Sequence, residues 1–293
     1  MEFLSFLITG LGLGSVYAII ALGYTMVYGI AKMLNFAHGD VIMVGSYVAF
    51  FMVAQFNLPG VVAIFASVLV CTLLGVLIER LAYKPLREAS TLSVLITAIG
   101  VSYFLQNGAQ ILWGTDTKIF PNVFDLGTIS LFDNQLHISV LTLVTIVICI
   151  VIIVALTLFI NKTKTGKAMR ACSEDKATAQ LMGISVDKTI SITFAIGSGL
   201  AAIASILLCS TYPAVNPTLG SMPGIKAFTA AVFGGIGSIS GAFVGGLLLG
   251  ILETLAKAYI SSQMSDAIVF LVLIIVLLIK PTGLLGKEIS EKV

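Results

Sequence analysis

The chain has 293 residues, 58% hydrophobic and 10% charged, with a mean hydropathy of +1.09 and a formal net charge of +2. Soluble domains carry about 25% charged residues, so the composition excludes an ordinary soluble globular protein and points to a polytopic membrane protein. Only helices and closed barrels satisfy their own backbone in lipid, and an all-α helical membrane protein is expected.

Apolar runs at 4–30, 41–56, 61–82, 91–113, 138–160, 189–212, 240–260 and 266–280 lie mostly near the ~20 residues a span needs. Eight spans result, or nine if the segment 224–237 also crosses. The first run carries Gly10, Gly12, Gly14, Gly23 and Gly29, which let neighbouring helices approach closely. No basic residue precedes it, and it reads as a retained span rather than a cleaved leader. After Lys32, the polar residues Asn35, His38 and Asp40 stand at the start of the second run. They read either as an interfacial helix start capped by Asn35 or Asp40, or as a broken helix beside a pathway. Irregular backbone at membrane depth survives only where it lines a cavity or is buried in protein.

Residues 57–60 form an external turn, and the third run closes on Glu79-Arg80, adjacent in sequence and so not on one helix face. The following stretch, 83–87, reads as a short solvated cytoplasmic link. In the fourth run Ser102, Gln106 and Gln110 recur every four residues and form one stripe, with Asn107 beside it. Such a stripe must face protein or water, either bonding helix to helix or lining a path with weak, neutral hydrogen-bonding groups. Residues 114–137 hold Asp116, Asp125 and Asp133 against a single Lys118, with turn residues Gly127, Asp133 and Asn134, and read as a compact loop able to meet an extracytoplasmic partner.

The polar stretch 161–188 separates two spans. A helix over 174–182 is predicted within it, with Ser173 as N-cap, Glu174 and Asp175 at the positive end of the dipole, and Gly183 at C′. About nine residues are too few for a helix to stand alone in water, so something must hold it. Its packing side, Ala177, Leu181 and Met182, suits a shallow groove on another protein.

Residues 224–237 give a rise of about 20 Å against about 30 Å of hydrocarbon. Short, glycine-interrupted segments are where transporters build solute sites. Beyond it, Gly237, Gly241 and Gly245, and also Gly246 and Gly250, are spaced by four and make small-residue packing faces, toward neighbouring helices or a second subunit. Glu253 follows at a costly depth, with Lys257 four residues on as a potential partner. The four cysteines, Cys71, Cys149, Cys172 and Cys209, lie far apart and read as small buried hydrophobes, with no metal-binding spacing.

Thirteen of the sixteen Lys and Arg residues fall at Lys32, in 80–87, in 162–188 and in 280–292. The positive-inside rule makes those places cytoplasmic and 114–137 external, with the N-terminus outside and the C-terminus inside.

Three blocks carry a family resemblance. Thr163-Lys-Thr-Gly166-Lys-Ala-Met-Arg170-Ala171, followed by Asp175 and by Ala179 through Gly183-Ile184, resembles the cytoplasmic loop of ATP-binding-cassette import permeases, and most closely the branched-chain amino-acid (Liv-type) permeases. Leu34-Asn-Phe-Ala-His-Gly-Asp40 and Ala230-Ala-Val-Phe-Gly-Gly-Ile-Gly-Ser238 are similar to two further blocks of that family. The resemblance implies a single transmembrane permease domain over 1–293 with a type II-like importer fold in the cell inner membrane. It also implies two related or identical permease subunits, two ATPase subunits and an extracytoplasmic solute-binding protein, with no nucleic-acid partner.

Gly166, Arg170, Glu174, Asp175, Ala177, Leu181 and Gly183 are then the ATPase-coupling candidates. Candidates for the translocation path are Asn35, His38, Asp40, Ser102, Gln106, Gln110 and Glu253. No G-x-x-x-x-G-K-[ST] loop occurs, so ATP is expected to be hydrolysed by partner subunits, with no cofactor, metal or catalytic site in this chain. Within the family, urea or short amides are alternative solutes. A stand-alone secondary carrier or channel is the competing class, and its few candidate ionisable groups are Glu253, Asp40, His38 and Glu79.

Overall fold

The computed structural model describes residues 2–124, 127–131 and 136–286. Asp125, Asp133 and Asn134 of the loop 114–137, and Lys287 and Lys292 of the basic tail, lie outside the described residues. Among the described residues six stretches are long and apolar enough to cross a membrane: α1 (Glu2–Ala31), α3 (Gly60–Ile78) with its continuation to Leu86, α4 (Thr91–Trp113), α5 (Val140–Lys162), α8 (Val186–Thr211) and α10 (Ile239–Tyr259). Two further apolar helices, α2 (His38–Ala54) and α11 (Ser265–Ile279), have 17 and 15 residues. Between α5 and α8 stand the polar helices α6 (Lys164–Glu174) and α7 (Lys176–Leu181). The glycine-rich segment is α9 (Ser221–Gly234), 14 residues long and so about 21 Å at 1.5 Å per residue. The protein is an all-α polytopic membrane protein, with four short strands outside the helices among the described residues.

The chain divides into two compact units. One comprises Met1–Thr25, Leu126–Ile153 and Lys226–Val293; the other comprises Met26–Asp125 and Val154–Ile225. In the first, strands β2 (Thr128–Leu131) and β3 (Leu136–Ser139) pair antiparallel. Its close packing is set by glycines, which let backbones touch. A Cβ on Gly246 would lie 2.4 Å from Ala18 Cα, and one on Gly250 would lie 2.1 Å from Gly14 N. The opposite face of α10 meets α9: a Cβ on Gly245 would lie 2.2 Å from Ala230 O, and one on Gly234 only 1.8 Å from Gly241 O. The two small-residue faces of α10 are thus filled from within the chain rather than by a second subunit. Gly235 (φ 111°) and Gly237 (φ 91°) make the turn between α9 and α10, and Ser238 caps α10 by accepting from Gly241 N at 3.1 Å. The Leu284 and Leu285 amides bond the Phe233 and Gly234 carbonyls at 2.9 Å, satisfying acceptors that a helix end leaves open.

In the second unit, α2, α3 and α8 pack together. Ser67 donates to Gly45 O at 2.9 Å, and Gly75 leaves room for Ser198, whose Oγ would be 2.0 Å from an added Cβ. Helix α2 runs beside α4, with the Tyr47 and Trp113 rings 4.3 Å apart. The strands β1 (Lys118–Ile119) and β4 (Ala214–Val215) pair antiparallel over this core. The four cysteines are free and buried, as a small-hydrophobe role requires.

Two expectations are corrected. The link after α3 is only partly solvated: the helix widens into a π-helical turn, Glu79–Tyr83, then narrows into a 3₁₀ turn, Lys84–Leu86, leaving Lys84 and Pro85 exposed and Tyr83 buried. Tyr83 is buried there because its hydroxyl finds Asn35. Nor is α2 capped by Asn35 or Asp40. Its N-cap is Ala37, without a side-chain bond, because Asn35 is held by Tyr83 and Asp40 already stands inside the first turn.

The glycine packing gives a controlled comparison. Gly234→Ala should lower the thermal midpoint of the purified protein, by the equivalent of about 1–3 kcal/mol of overpacking. Gly100→Ala, where nothing lies within 4 Å of the new methyl, should leave it unchanged or slightly raised. Thermal melting in detergent measures both.

Candidate coupling loop and translocation path

The loop 161–188 begins with a cap that sequence reading missed. Thr163 accepts from Gly166 N at 3.0 Å and starts α6. Gly166, Met169 and Cys172 then turn inward at helical spacing and bury. A Cβ on Gly166 would sit 2.4 Å from Ile160 Cα, so this glycine serves the tight return of the chain. Arg170 lies on the exposed side, donating to Asn161 Oδ1 at 3.3 Å.

Because α6 continues to Glu174, Ser173 cannot cap the next helix. Its hydroxyl folds back onto Arg170 O at 2.7 Å, and Glu174 ends α6 instead of opening a helix. The chain becomes extended at Asp175 (φ −154°, ψ 117°), whose carboxylate accepts from Ala177 N at 2.8 Å and caps α7. The predicted helix 174–182 is therefore shorter, Lys176–Leu181. Its other end matches the expectation: Gly183 has φ 79°, with Gly183 N bonded to Gln180 O and Ile184 N to Ala179 O, the paired bonds of a Schellman ending. Ala179 anchors the helix inward. Ala177 is exposed, and Leu181 and Met182 are 87% and 78% exposed.

The loop is tied to the ends of other helices in the same unit. Lys176 Nζ donates to Ala31 O at 2.6 Å, supplying positive charge to the carbonyl end of α1. Burial, and then the Arg87 and Lys32 charges, push the Lys176 pKa below its usual value. Asp187, at the start of α8, pairs with Lys84 at 2.8 Å and with Arg87. Arg87 also pairs with Glu79, which is fully buried and accepts from Ser191 Oγ at 2.6 Å. Glu79 thus finds its partner eight residues on, not at Arg80.

The candidates for the path divide. Asn35, His38 and Asp40 are 4%, 1% and 2% exposed. Gln106 Nε2 donates to Asp40 Oδ1 at 2.8 Å and lies 3.2 Å from Ser102 Oγ and 3.3 Å from Ser221 Oγ. Two members of the α4 stripe therefore converge with Asp40, and Ser221 joins them unforeseen. Gln110 is half-buried further along, whereas Asn107 points outward and bonds its own helix at Tyr103 O. Gln106 stands roughly 22 Å along α4 from its start at 1.5 Å per residue, so Asp40 meets it well inside the span.

Glu253 belongs to a network in the first unit. It is 1% exposed and accepts from Lys226 at 2.8 Å, Lys257 at 2.6 Å and the Tyr17 hydroxyl at 2.9 Å. Lys226 also reaches Asp266 at 2.7 Å. The i, i+4 pairing with Lys257 was legible; Lys226, Asp266 and Tyr17 are distant in sequence and were not.

The cap assignment is testable. Asp175→Ala should speed amide exchange across 176–182, whereas Ser173→Ala should not. Hydrogen bonding from the Thr178 hydroxyl, then from the Thr178 and Ala177 amides, holds the Asp175 carboxyl below the usual range. Its stabilising contribution is therefore complete above the unfolded value near 4 and lost as pH falls through the lower folded value. The wild type should show the same local opening in acid.

A family model described as branched-chain amino acid transport system / permease component matches residues 6–277. The chain is 44% identical over 303 residues to the high-affinity branched-chain amino acid transport system permease protein LivH of Salmonella typhimurium, covering 100% of this chain and 98% of that one. It is 45% identical over 304 residues to BraD of Pseudomonas aeruginosa, the permease protein of a system of the same description, with the same coverage. A probable LivH permease of Methanocaldococcus jannaschii is 33% identical and covers 92% of this chain and 88% of its own length. With the three sequence blocks, the fold and full-length identity in agreement, the chain belongs to the family of branched-chain amino-acid transport permease components.

Proposed function

We propose that this chain is the membrane-spanning permease subunit of an ATP-driven importer that carries leucine, isoleucine and valine across the inner membrane. The observation that carries the reading is full-length identity of 44–45% to permeases of high-affinity branched-chain systems. The permease works with a second permease subunit, two ATP-binding-cassette ATPases that hydrolyse the ATP, and an extracytoplasmic solute-binding protein.

Coupling runs through α6 and α7. The exposed Leu181 and Met182 support docking of α7 into a groove on the ATPase, where burying each side chain is worth about 1.5–3 kcal/mol. Nucleotide-driven closure displaces α7. The displacement reaches the end of α1 through Lys176 and Ala31 O, and the end of α3 through the Asp187–Arg87–Glu79 chain. The spans reorient, and the path opens to the other side. Selection belongs to the solute-binding protein, so the path itself needs only weak contacts.

The test is uptake of labelled leucine into proteoliposomes holding the complete transporter. Wild type should require ATP, and Glu174→Lys combined with Leu181→Asp should abolish ATPase co-purification and cut uptake by about tenfold or more, the loss of at least 1.4 kcal/mol of coupling. Uptake that persists without the ATPase would establish a stand-alone carrier instead. Uptake of urea or an amide with leucine ignored would keep the family and overturn the solute.

A further inference from the structure

Of the three buried carboxylates, Glu79, Glu253 and Asp40, the last two are in opposite conditions. Glu253 has both oxygens engaged by three donors, two of them lysine ammonium groups. Asp40 is 2% exposed, and its Oδ1 accepts from Gln106. Among the described residues its Oδ2 has no hydrogen-bond partner, and no Lys or Arg forms an ion pair with Asp40. A carboxylate oxygen withdrawn from water without a partner is strongly unfavourable, and intramembrane carboxylates mark solute and ion paths.

The groups around Asp40 have one chemical character. Gln106, Ser102 and Ser221 are neutral: the Gln106 amide that reaches Asp40 at 2.8 Å has the Ser102 and Ser221 hydroxyls at 3.2 and 3.3 Å. Gly39 and Gly220 bring the backbone together beside them, since a Cβ on Gly220 would lie 1.7 Å from Gly39 O. The place therefore offers one negative charge with an open acceptor and no fixed positive charge. It fits the cationic end of a zwitterion and repels the anionic end.

We infer that the Asp40 carboxylate, framed by Gln106, Ser102 and Ser221, is a transient receiving site for the ammonium group of the amino acid in transit. The inference rests on the amino-acid importer reading above. A single open acceptor makes the contact directional without making it tight, as a site on a path requires: attractive enough to enter, weak enough to leave. A neutral amide or urea has no charge to place there.

The test uses the complete transporter in nanodiscs, without solute-binding protein, and saturation-transfer NMR, which reads weak ligands. The probes are leucine, isopentylamine and isocaproate, the last two being leucine without its carboxylate and without its ammonium group. Isopentylamine should give a saturable signal about tenfold above that of isocaproate, as loss of one charge-assisted contact implies, and excess sodium chloride against choline chloride should not displace it. Asp40→Asn should remove the amine signal and cut ATP-driven leucine uptake by about tenfold, with ATPase assembly retained, whereas Asp116→Asn in the exposed loop should change neither. Equal amine and carboxylate signals in wild type, displacement by sodium, or wild-type uptake by Asp40→Asn would each overturn the inference. If Asp40→Asn fails to assemble, the wild-type amine-to-carboxylate ratio decides alone. If wild type imports no leucine, the importer reading has failed. If wild type and Asp40→Asn import leucine equally, only the ammonium site has failed.

Discussion

Hydrocarbon offers no hydrogen bonds, and the organisation of this chain follows from that. Each polar group placed at membrane depth must find a protein partner, meet water, or impose a cost of several kcal/mol. The lipid-exposed surfaces obey the rule with aliphatic and aromatic side chains, as along α5 and the outer side of α4, where Phe104 and Ile111 are largely exposed. The polar residues obey it by meeting one another. Glu253 gathers Lys226, Lys257 and Tyr17; Glu79 gathers Arg87 and Ser191; Asp40 gathers Gln106. Asp40 alone among these three carboxylates keeps an oxygen without a partner among the described residues.

Glycine does the complementary work. A helix interior is a poor place for glycine on propensity grounds, yet α10 carries Gly241, Gly245, Gly246 and Gly250 on two faces that touch α9 and α1 at backbone distance. The loss of helix propensity is accepted for contact that side chains would block. At the loop 161–188 the requirement changes from packing to termination. Thr163, Asp175 and Gly183 divide the 28-residue polar connection, 161–188, into two helices with capped ends, which leaves Leu181 and Met182 presented on a defined surface.

Much of this was legible in the sequence. Apolar run length located the helices, because lipid fixes the length of a span. Spacing by four revealed the faces of α10, the α4 stripe and the Glu253–Lys257 pair, because a helix converts such spacing into adjacency. What failed was the choice between chemically equivalent local solutions. Ser173 and Asp175 are equally good caps, and the tie is broken by the buried face of α6, which carries that helix through Glu174. The partners of Glu79 and Asp40, and the role of Ser221, were invisible because they join residues that only tertiary packing brings together. Glu79 and Arg80, adjacent and so on different helix faces, do not pair, and Glu79 meets Arg87 across the π-helical turn.

The ammonium site proposed at Asp40 requires that the polar stripe of α4 and the start of α2 face an aqueous path rather than serve only to hold helices together. The most direct measurement is the reaction of Ser102→Cys, in the assembled transporter, with a membrane-impermeant methanethiosulfonate reagent. The four native cysteines are buried and provide a low background. The account predicts modification by the impermeant reagent at a rate that changes between nucleotide-free and ATP-trapped states. Reaction only with a lipid-soluble maleimide, at one rate in both states, would contradict it and leave the stripe a structural contact.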